Sequence, residues 1–271
     1  MQIALSPANR RRKAGSENPT SRHGEPVIAG EAHLALASDA WSLTEASREN
    51  LSSHVQRRVR EALMSARFHP GEKLNIREMA TMLGTSATPV REALARLAAE
   101  GAIEMRAGHS ARVPVISPER YAELCEVRKC VEGFAAEVAA TRISQAGLVE
   151  LRRVLLKYDQ ACANAQSDRM LNFNLQFRFG VYRAAAMPTL ERIIEGLWLQ
   201  SAPMFRLLSP INDPVLGETY RRVIKALAAR DPAGARAALQ DAISLGSSRL
   251  LEYLETQAAN PARSSPKRSA I

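Results

Sequence analysis

The sequence predicts a mainly α-helical protein in which one small β-hairpin interrupts a series of helices. Aromatic residues make up 5% of the 271 residues, while alanine, leucine, arginine and glutamate are abundant. That mixture favours helices over sheets. Apolar residues also recur at helical spacing from Ser53 to about residue 257, and strand-like alternation is confined to residues 102–115. Hydrophobic residues make up 46% of the chain, which allows a sizeable core.

The chain is strongly basic, with a formal net charge of +9 and a pI of about 9.9. Excess positive charge suits an anionic partner, and nucleic acid is the first candidate. Part of the excess lies in two terminal segments, residues 1–49 and 258–271, whose composition predicts disordered basic tails. Within the first tail, only the stretch EAHLALA (31–37) suggests a short helix.

Cysteine usage and hydropathy predict a cytoplasmic protein without a membrane segment. Cys125, Cys130 and Cys162 fall inside helical patterns at spacings that match no zinc or disulfide framework, so we expect buried reduced thiols. The N-terminal charges follow a very short apolar piece, unlike those of a signal peptide. No apolar run reaches the length of about 18 residues that a membrane span requires.

Residues 54–101 predict three helices. HVQRRVREALMSARF (54–68) has apolar residues at helical spacing, and the HPG that follows ends the helix. NIREMATMLG (75–84) predicts a second, short helix. In TSATPVREALARLAAEG (85–101), Thr88 fits the N-cap of a third helix, with proline at its first position. AIEMRAGHSARVPV then alternates around a turn, as a β-hairpin does.

The rest of the chain predicts an antiparallel bundle of about six helices. Their expected limits are about 120–143, 146–164, 168–186, 189–208, 214–230 and 232–257. In the first of them, the residues at helical spacing are Leu124, Val127, Val131, Phe134 and Val138. The chain is therefore divided into four parts, namely the tail 1–49, a first domain at 50–116, a helical domain at 117–257 and the tail 258–271.

The element order of the first domain is that of a winged helix-turn-helix. The turn GTSAT is short enough to set one helix across the next, whose leading end would then enter the major groove of DNA. Polar residues lie where this geometry needs them: Arg77, Ser86, Thr88 and Arg91 on the two helices, and Gly108, His109 and Ser110 at the hairpin tip. The same residues could equally be ordinary caps and a solvated face, so the pattern alone leaves DNA binding open.

Two segments resemble a known family. PGEKLNIREMATMLGTSATPVREALARLAAEGAIEMRAGHSARV (70–113) is similar to the N-terminal domain of the GntR family of bacterial transcription regulators, in which TPVREAL is one of the most recognisable strings. YAELCEVRKCVEGFAAEVAA (121–140) resembles the first helix of the FCD-type effector domain. The resemblance covers about residues 54–257. It implies a homodimer that binds operator DNA and is nucleoid-associated when bound, usually a repressor released by a ligand.

The resemblance also implies which residues contact DNA. The matching positions are Arg77, Ser86, Thr88, Arg91 and Gly108. Many family members have arginine where this chain has Ala87. An arginine that reads a base there contributes about 1–3 kcal/mol, so the family's operator sequence does not carry over to this chain.

Many FCD domains hold a divalent metal through an aspartate or asparagine and three histidines. The matching positions here are Asn174, Arg178, Tyr220 and Ala242. Arginine has no lone pair to offer a cation, alanine has no ligand atom and a neutral tyrosine is a poor ligand. None of the five histidines falls in the bundle. We therefore expect no metal and no other cofactor.

Arg178 in the lumen predicts a different ligand chemistry. The family's lumen usually receives a small organic acid, and an arginine can hold a carboxylate by a bidentate salt bridge. Asn174 and Tyr220 would then be hydrogen-bonding neighbours, and Arg128 a second cation. Two alternatives stay open. Arg178 could form an internal ion pair, with Glu132 or Asp241, or it could be solvated.

Two other classes of function compete with a ligand-responsive regulator. An enzyme is not supported, since no nucleophile lies beside a base and no glycine-rich phosphate loop is present. Trp198 and Phe205 are better explained by core or dimer packing than by a ligand site. An architectural nucleic-acid binder that needs no effector remains the alternative, and it would show steep salt dependence with little sequence preference. The effector, the operator and the sign of regulation do not follow from the sequence.

Overall fold

The structure is a computed structural model that describes residues 51–106, 110–208 and 214–259. The predicted tail at 1–49, its EAHLALA helix, residues 260–271 and the hairpin residues Gly108 and His109 lie outside the described residues. Within the described ranges the chain is mainly helical with one small sheet, so the predicted fold class is confirmed.

The first part of the described chain contains three helices and three short strands. They are α1 (Leu51–Met64), β1 (Lys73–Leu74), α2 (Ile76–Met82), α3 (Ala87–Ala99), β2 (Glu104–Arg106) and β3 (Ser110–Arg112). The predicted hairpin, β2 and β3, is extended by β1 into an antiparallel sheet of order β1-β3-β2. The sequence did not predict β1, because a strand of two residues is too short to show alternation.

Helix α3 begins two residues earlier than expected. Its N-cap is Ser86 and not Thr88, so Thr88 and Pro89 are the second and third residues of the helix. Proline is tolerated there because the first-turn N–H groups have no partner inside the helix. Helices α1 and α3 pack through fully buried apolar side chains that include Leu63, Leu94 and Leu97.

Six helices follow, as predicted, within the described ranges. They are α4 (Pro118–Arg142), α5 (Gln145–Ala163), α6 (Ser167–Ala184), α7 (Pro188–Phe205), α8 (Pro214–Ala228) and α9 (Pro232–Ala259). One 3-10 turn, Arg206–Leu208, continues α7. The starts of α4 and α5 are fixed by Ser117 and Ser144, whose side chains accept from first-turn N–H groups. Helix α9 ends at Ala259, inside the segment that was assigned to the C-terminal tail.

Helix α4 is central and contacts α6, α7, α8 and α9. Its buried face differs from the stripe of large apolar residues seen in the sequence. Val127 and Phe134 are 42% and 40% exposed, whereas Ala135, Ala136 and Ala139 are fully buried. The reason is close packing on α9, since a Cβ added at Gly133 would lie only 3.1 Å from Gln240. Small residues fit this contact and large ones do not.

Candidate effector cavity and DNA-reading surface

The helical bundle contains a partly open cavity of about 90 Å³. Its wall combines apolar and aromatic side chains with three arginines. The apolar part includes Met170, Leu171, Trp198, Phe205, Leu216 and Ile243, and the arginines are Arg128, Arg178 and Arg249. At the 10–15 Å³ that one water requires, this volume holds roughly six to nine water-sized groups. The cavity is therefore large enough for a small organic molecule.

Glu132 lies behind this wall and forms ion pairs with Arg128 and Arg178. Its side chain is completely buried and accepts four hydrogen bonds from four different residues. On Oε1 the donors are Arg128 Nε at 2.6 Å and Trp198 Nε1 at 3.1 Å. On Oε2 they are Arg178 Nη1 at 3.2 Å and the hydroxyl of Tyr182. A carboxylate has about four acceptor positions, so Glu132 has none left for a ligand.

Arg178 on α6 is held in place by a chain of polar contacts. Its Nε donates to the hydroxyl of Tyr220 at 3.1 Å, and that hydroxyl donates to Asn174 Oδ1. Tyr220 is itself fixed by stacking on Phe177, with ring centroids 4.3 Å apart. Because Asn174 and Arg178 are one helical turn apart, α6 presents both side chains to the cavity together.

Arg128 on α4 lies over two neighbouring aromatic rings. Its Cζ atom is 5.1 Å from the ring centroid of Trp198 and 5.2 Å from that of Phe205. Such cation–π contacts hold a desolvated guanidinium in one orientation. The two rings also meet edge to face, with centroids 5.4 Å apart. They pack together, as expected, and in addition they form part of the cavity wall.

The three buried charges are ionised. Burial by itself raises the pKa of Glu132. The neighbouring guanidinium groups of Arg128 and Arg178 lower that pKa by more than burial raises it, so it lies below the ordinary value. Burial lowers the pKa of each arginine, yet Glu132 and the nearby tyrosines more than offset this and both arginines stay charged. Tyr182 has a raised pKa because it is buried beside Glu132, and it therefore remains a hydrogen-bond donor.

The structure brings most of the predicted lumen residues together. Arg128, Asn174 and Arg178 line the cavity, as does Ala242, whereas Tyr220 lies behind Arg178 and orients it. The alternative in which Arg178 is solvated is wrong, because the residue is 4% exposed. An internal ion pair is present, and its partner is Glu132.

Asp241, the other suggested partner, lies at the surface and pairs with Arg222 at 2.6 Å. Sequence reasoning named Glu132 only as an alternative partner and missed its central position. The available signal was its spacing of four residues from Arg128, which places both on one face of α4.

The lumen residues do not fit a divalent metal. Of the four positions that the family resemblance assigns to metal ligands, only Asn174 and Tyr220 offer an uncharged oxygen, and the Asn174 oxygen already accepts from the Tyr220 hydroxyl. Within the described ranges, no three histidine, cysteine, aspartate or glutamate side chains are grouped as metal ligands. The positions next to Asn174 present a guanidinium, which repels a cation.

A second group of predicted residues lies at the leading end of α3. Arg77, Ser86, Thr88 and Arg91 are all exposed. The first turn of α3 has no acidic residue, and Ser86 makes no side-chain cap to it. The N–H groups of Ala87 and Thr88 are therefore open to an anion such as a phosphate, whereas Pro89 has none. Ser110 is exposed at the start of β3, and the hairpin residues Gly108 and His109 lie outside the described residues.

The three thiols differ from the expectation. Cys125 and Cys162 are buried, but Cys130 is exposed on α4. The prediction of three buried thiols was wrong for Cys130, because this residue lies on the same exposed side of α4 as Val127 and Phe134. In the part of the chain that the structure describes, no helix is long and apolar enough to cross a membrane.

A winged helix-turn-helix followed by a helical bundle with an internal cavity defines a class of protein, the DNA-binding regulators that carry a ligand-binding domain. Residues 51–113 match the profile of the bacterial regulatory proteins of the gntR family, and residues 123–245 match that of the FCD domain.

Known proteins of similar sequence agree. The HTH-type transcriptional regulator McbR of Escherichia coli K12 is 31% identical over 196 residues, which are 71% of this chain and 89% of McbR. A probable D-xylose utilization operon transcriptional repressor of Paenarthrobacter nicotinovorans is 28% identical over 71% of this chain and 85% of its own length. The solved structure of E. coli McbR/YncC superposes with a TM-score of 0.71 at 28% identity, covering 75% of this chain and 98% of that one.

The chain belongs to the GntR family. It is a DNA-binding transcription regulator with an FCD effector domain, and it is not an enzyme.

Proposed function

We propose that this protein is a homodimeric repressor whose affinity for its operator changes when a small carboxylate binds in the bundle cavity. The observation that carries the proposal is a pair of buried guanidinium groups, Arg128 and Arg178, on the wall of one cavity in an FCD domain. The proposed effector would occupy the lumen without a metal.

Both arginines keep hydrogen-bonding capacity on the cavity side. Glu132 accepts from Nε of Arg128 and from Nη1 of Arg178. Tyr220 accepts from Nε of Arg178. Among the described residues, no protein group accepts from the two terminal nitrogens of Arg128 or from Nη2 of Arg178. A carboxylate oxygen placed between them would receive charge-assisted hydrogen bonds, which are about twice as strong as neutral ones.

The proposed operator contacts come from α2, α3 and the hairpin. Arg77, Ser86, Thr88 and Arg91 would contact bases and phosphates, with Gly108, His109 and Ser110 at the hairpin tip. Their exposure and the uncapped first turn of α3 support this assignment. A recognition helix reads a half-site with its N-terminal residues, so a dimer would read two half-sites related by two-fold symmetry.

Helix α7 offers a physical connection between the cavity and the DNA-binding part. Trp198 contributes to the cavity wall and donates to Glu132, while the next residue, Leu199, is fully buried in the core of α1 and α3. Core packing is not continuously deformable, so a shift of Trp198 would be transmitted through Leu199. Effector binding would thereby favour one placement of the DNA-reading helices over another.

Dimerisation through α4 is supported by its exposed apolar side chains. Val127 and Phe134 lie two helical turns apart on α4 and are 42% and 40% exposed. Repression, and not activation, is proposed because the D-xylose relative is named a repressor. Sedimentation analysis of the protein and of Phe134→Glu tests the dimer. A monomeric wild type would contradict it.

DNA binding is tested by selecting bound duplexes from a random library and measuring affinity at several salt concentrations. We expect an inverted repeat, and a loss of about 1–3 kcal/mol for Arg91→Ala if Arg91 reads a base. Arg152→Ala removes an exposed charge in the bundle and serves as the matched control. Binding with a steep salt dependence but no preferred sequence would instead support the architectural alternative.

The effector proposal is tested by calorimetry with small carboxylates in buffer containing EDTA. A bound acid should alter operator affinity, and Arg178→Ala should bind it at least about tenfold more weakly, because a charge-assisted hydrogen bond is lost. Unchanged affinity in Arg178→Ala would show that Arg178 only pairs with Glu132. Binding that requires a divalent metal would show that the ligands lie elsewhere.

A further inference from the structure

The buried charges around the cavity do not balance. Arg128 and Arg178 each carry +1 and Glu132 carries −1, and these are the buried charged residues of the described chain, so their sum is +1. Arg249, also on the wall, is only half-buried and already has an interaction of its own. An uncompensated cation in a low-dielectric site is unfavourable. A ligand with one negative charge would bring the sum to zero, whereas a ligand with two would leave a net negative charge.

The rest of the wall is poor in groups that could bind hydroxyls. Apart from the arginines, the polar side chains on it are those of Tyr121, Tyr158, Asn174 and Ser247. Asn174 Oδ1 already accepts from Tyr220 and the Ser247 hydroxyl already donates to the carbonyl of Ser244, so Asn174 offers a ligand only its amide nitrogen as a donor and Ser247 only its oxygen as an acceptor. A ligand with several hydroxyls would bury most of them without partners, which is costly.

The remaining surface is aliphatic or aromatic. Leu171, Leu216 and Ile243 come from three different helices, and Trp198 and Phe205 add two rings beside Arg128. An apolar group that leaves water for this wall is stabilised in proportion to its buried area. The volume of about 90 Å³ suits roughly six to nine non-hydrogen atoms.

We propose that the effector is a compact monocarboxylate with an aliphatic or aromatic body, bound without metal, and neither a polyhydroxylated acid nor a dicarboxylate. This inference rests on the proposed carboxylate-sensing function. The carboxylate is placed at the terminal nitrogens of Arg128 and Arg178, and the body lies against the apolar wall. Glu132 fixes the two arginines and sets the excess charge at one.

The test is a calorimetric panel on the full-length protein in EDTA. The probes are hexanoate and benzoate as apolar monoanions, threonate as a hydroxylated monoanion of similar size, succinate as a dianion, and hexanol as a neutral apolar molecule. We expect hexanoate or benzoate to bind at least about tenfold more tightly than the other three, because each of those lacks one matching property. Binding of the same acid should change operator affinity.

Two variants make the result specific. Arg128→Gln leaves one buried cation opposite Glu132, so the lumen is neutral and the fold should persist, while hexanoate affinity falls about tenfold or more. Arg222→Gln removes a surface cation that pairs with Asp241 and should leave the affinity unchanged. Equal loss in both variants would overturn the assignment.

The outcomes separate this inference from the proposed function. Preferential binding of threonate or succinate would overturn the apolar monoanion and leave carboxylate sensing intact. Hexanol binding as tightly as hexanoate would overturn recognition by the arginines. If no carboxylate binds although the operator is bound specifically, both the ligand class and the carboxylate effector are wrong.

Discussion

Replacing Glu132 by glutamine removes the one carboxylate that two buried arginines share. The side chain keeps its shape, but the lumen charge changes from +1 to +2. Glu132 accepts four hydrogen bonds, two on each oxygen. The glutamine oxygen can keep two of them. The amide nitrogen would then face either Arg128 and Trp198 or Arg178 and Tyr182, and each pair includes at least one obligatory donor.

The expected loss of stability is large for a change of so few atoms. Removing one partner of a buried ion pair costs about 3–5 kcal/mol, because the other charge is left buried and uncompensated. For a folded region of this size, 1 kcal/mol corresponds to roughly 2–4 °C, so the melting temperature should fall by about 6–20 °C. Differential scanning calorimetry without ligand measures this directly.

Asp241→Asn is the matched control, since it removes a carboxylate from an ion pair of similar length at the surface. Asp241 and Arg222 are 53% and 52% exposed, and such pairs contribute about 0–1 kcal/mol. If Glu132→Gln lowers the melting temperature no more than Asp241→Asn does, Glu132 does not balance the lumen charge and the reasoning is refuted.

Three further predictions follow from the same structure. Burial raises the pKa of Glu132, but Arg128 and Arg178 lower it below the ordinary 4.5. The stability that the ionised carboxylate contributes is therefore complete above pH 4.5 and is lost as the pH falls through the lower native pKa. The difference in stability between the wild type and Glu132→Gln should shrink in acid, and a difference that does not change with pH would contradict the reasoning. Leu199→Ala should destabilise the DNA-binding core by about 2–5 kcal/mol in chemical denaturation, whereas a surface-like loss below about 1 kcal/mol would contradict its burial. Cys125 and Cys162, whose pKa values are raised by burial, should react with a thiol reagent only after unfolding; rapid reaction of either in the native protein would disprove its burial.

Most of the helices could be predicted from the sequence, because they depend on local features. The breaks at QSD, MPT and RDP and the apolar spacing between them placed the six bundle helices within about three residues of the observed limits. Residues at the start of α3 are exposed where a DNA-reading helix needs them. These features depend on neighbours within one or two helical turns.

The sequence was a poorer guide to which face of a helix is buried. In α4 the sequence shows a stripe of large apolar residues, yet the alanines are buried and Val127 and Phe134 are exposed. The close contact with α9 accepts only small side chains, and that contact joins residues about 100 positions apart. The strand β1 and the burial of Leu199 among α1 and α3 depend on equally distant partners.

The sequence by itself determined the order of the helices, the helix-turn-helix and the lack of any histidine between residues 117 and 257. Only the tertiary structure decided what surrounds Arg178. Glu132, Tyr182, Trp198 and Tyr220 come from four helices and meet at one point. The balance of buried charge depends on all of them together, and so no local pattern in the chain could reveal it.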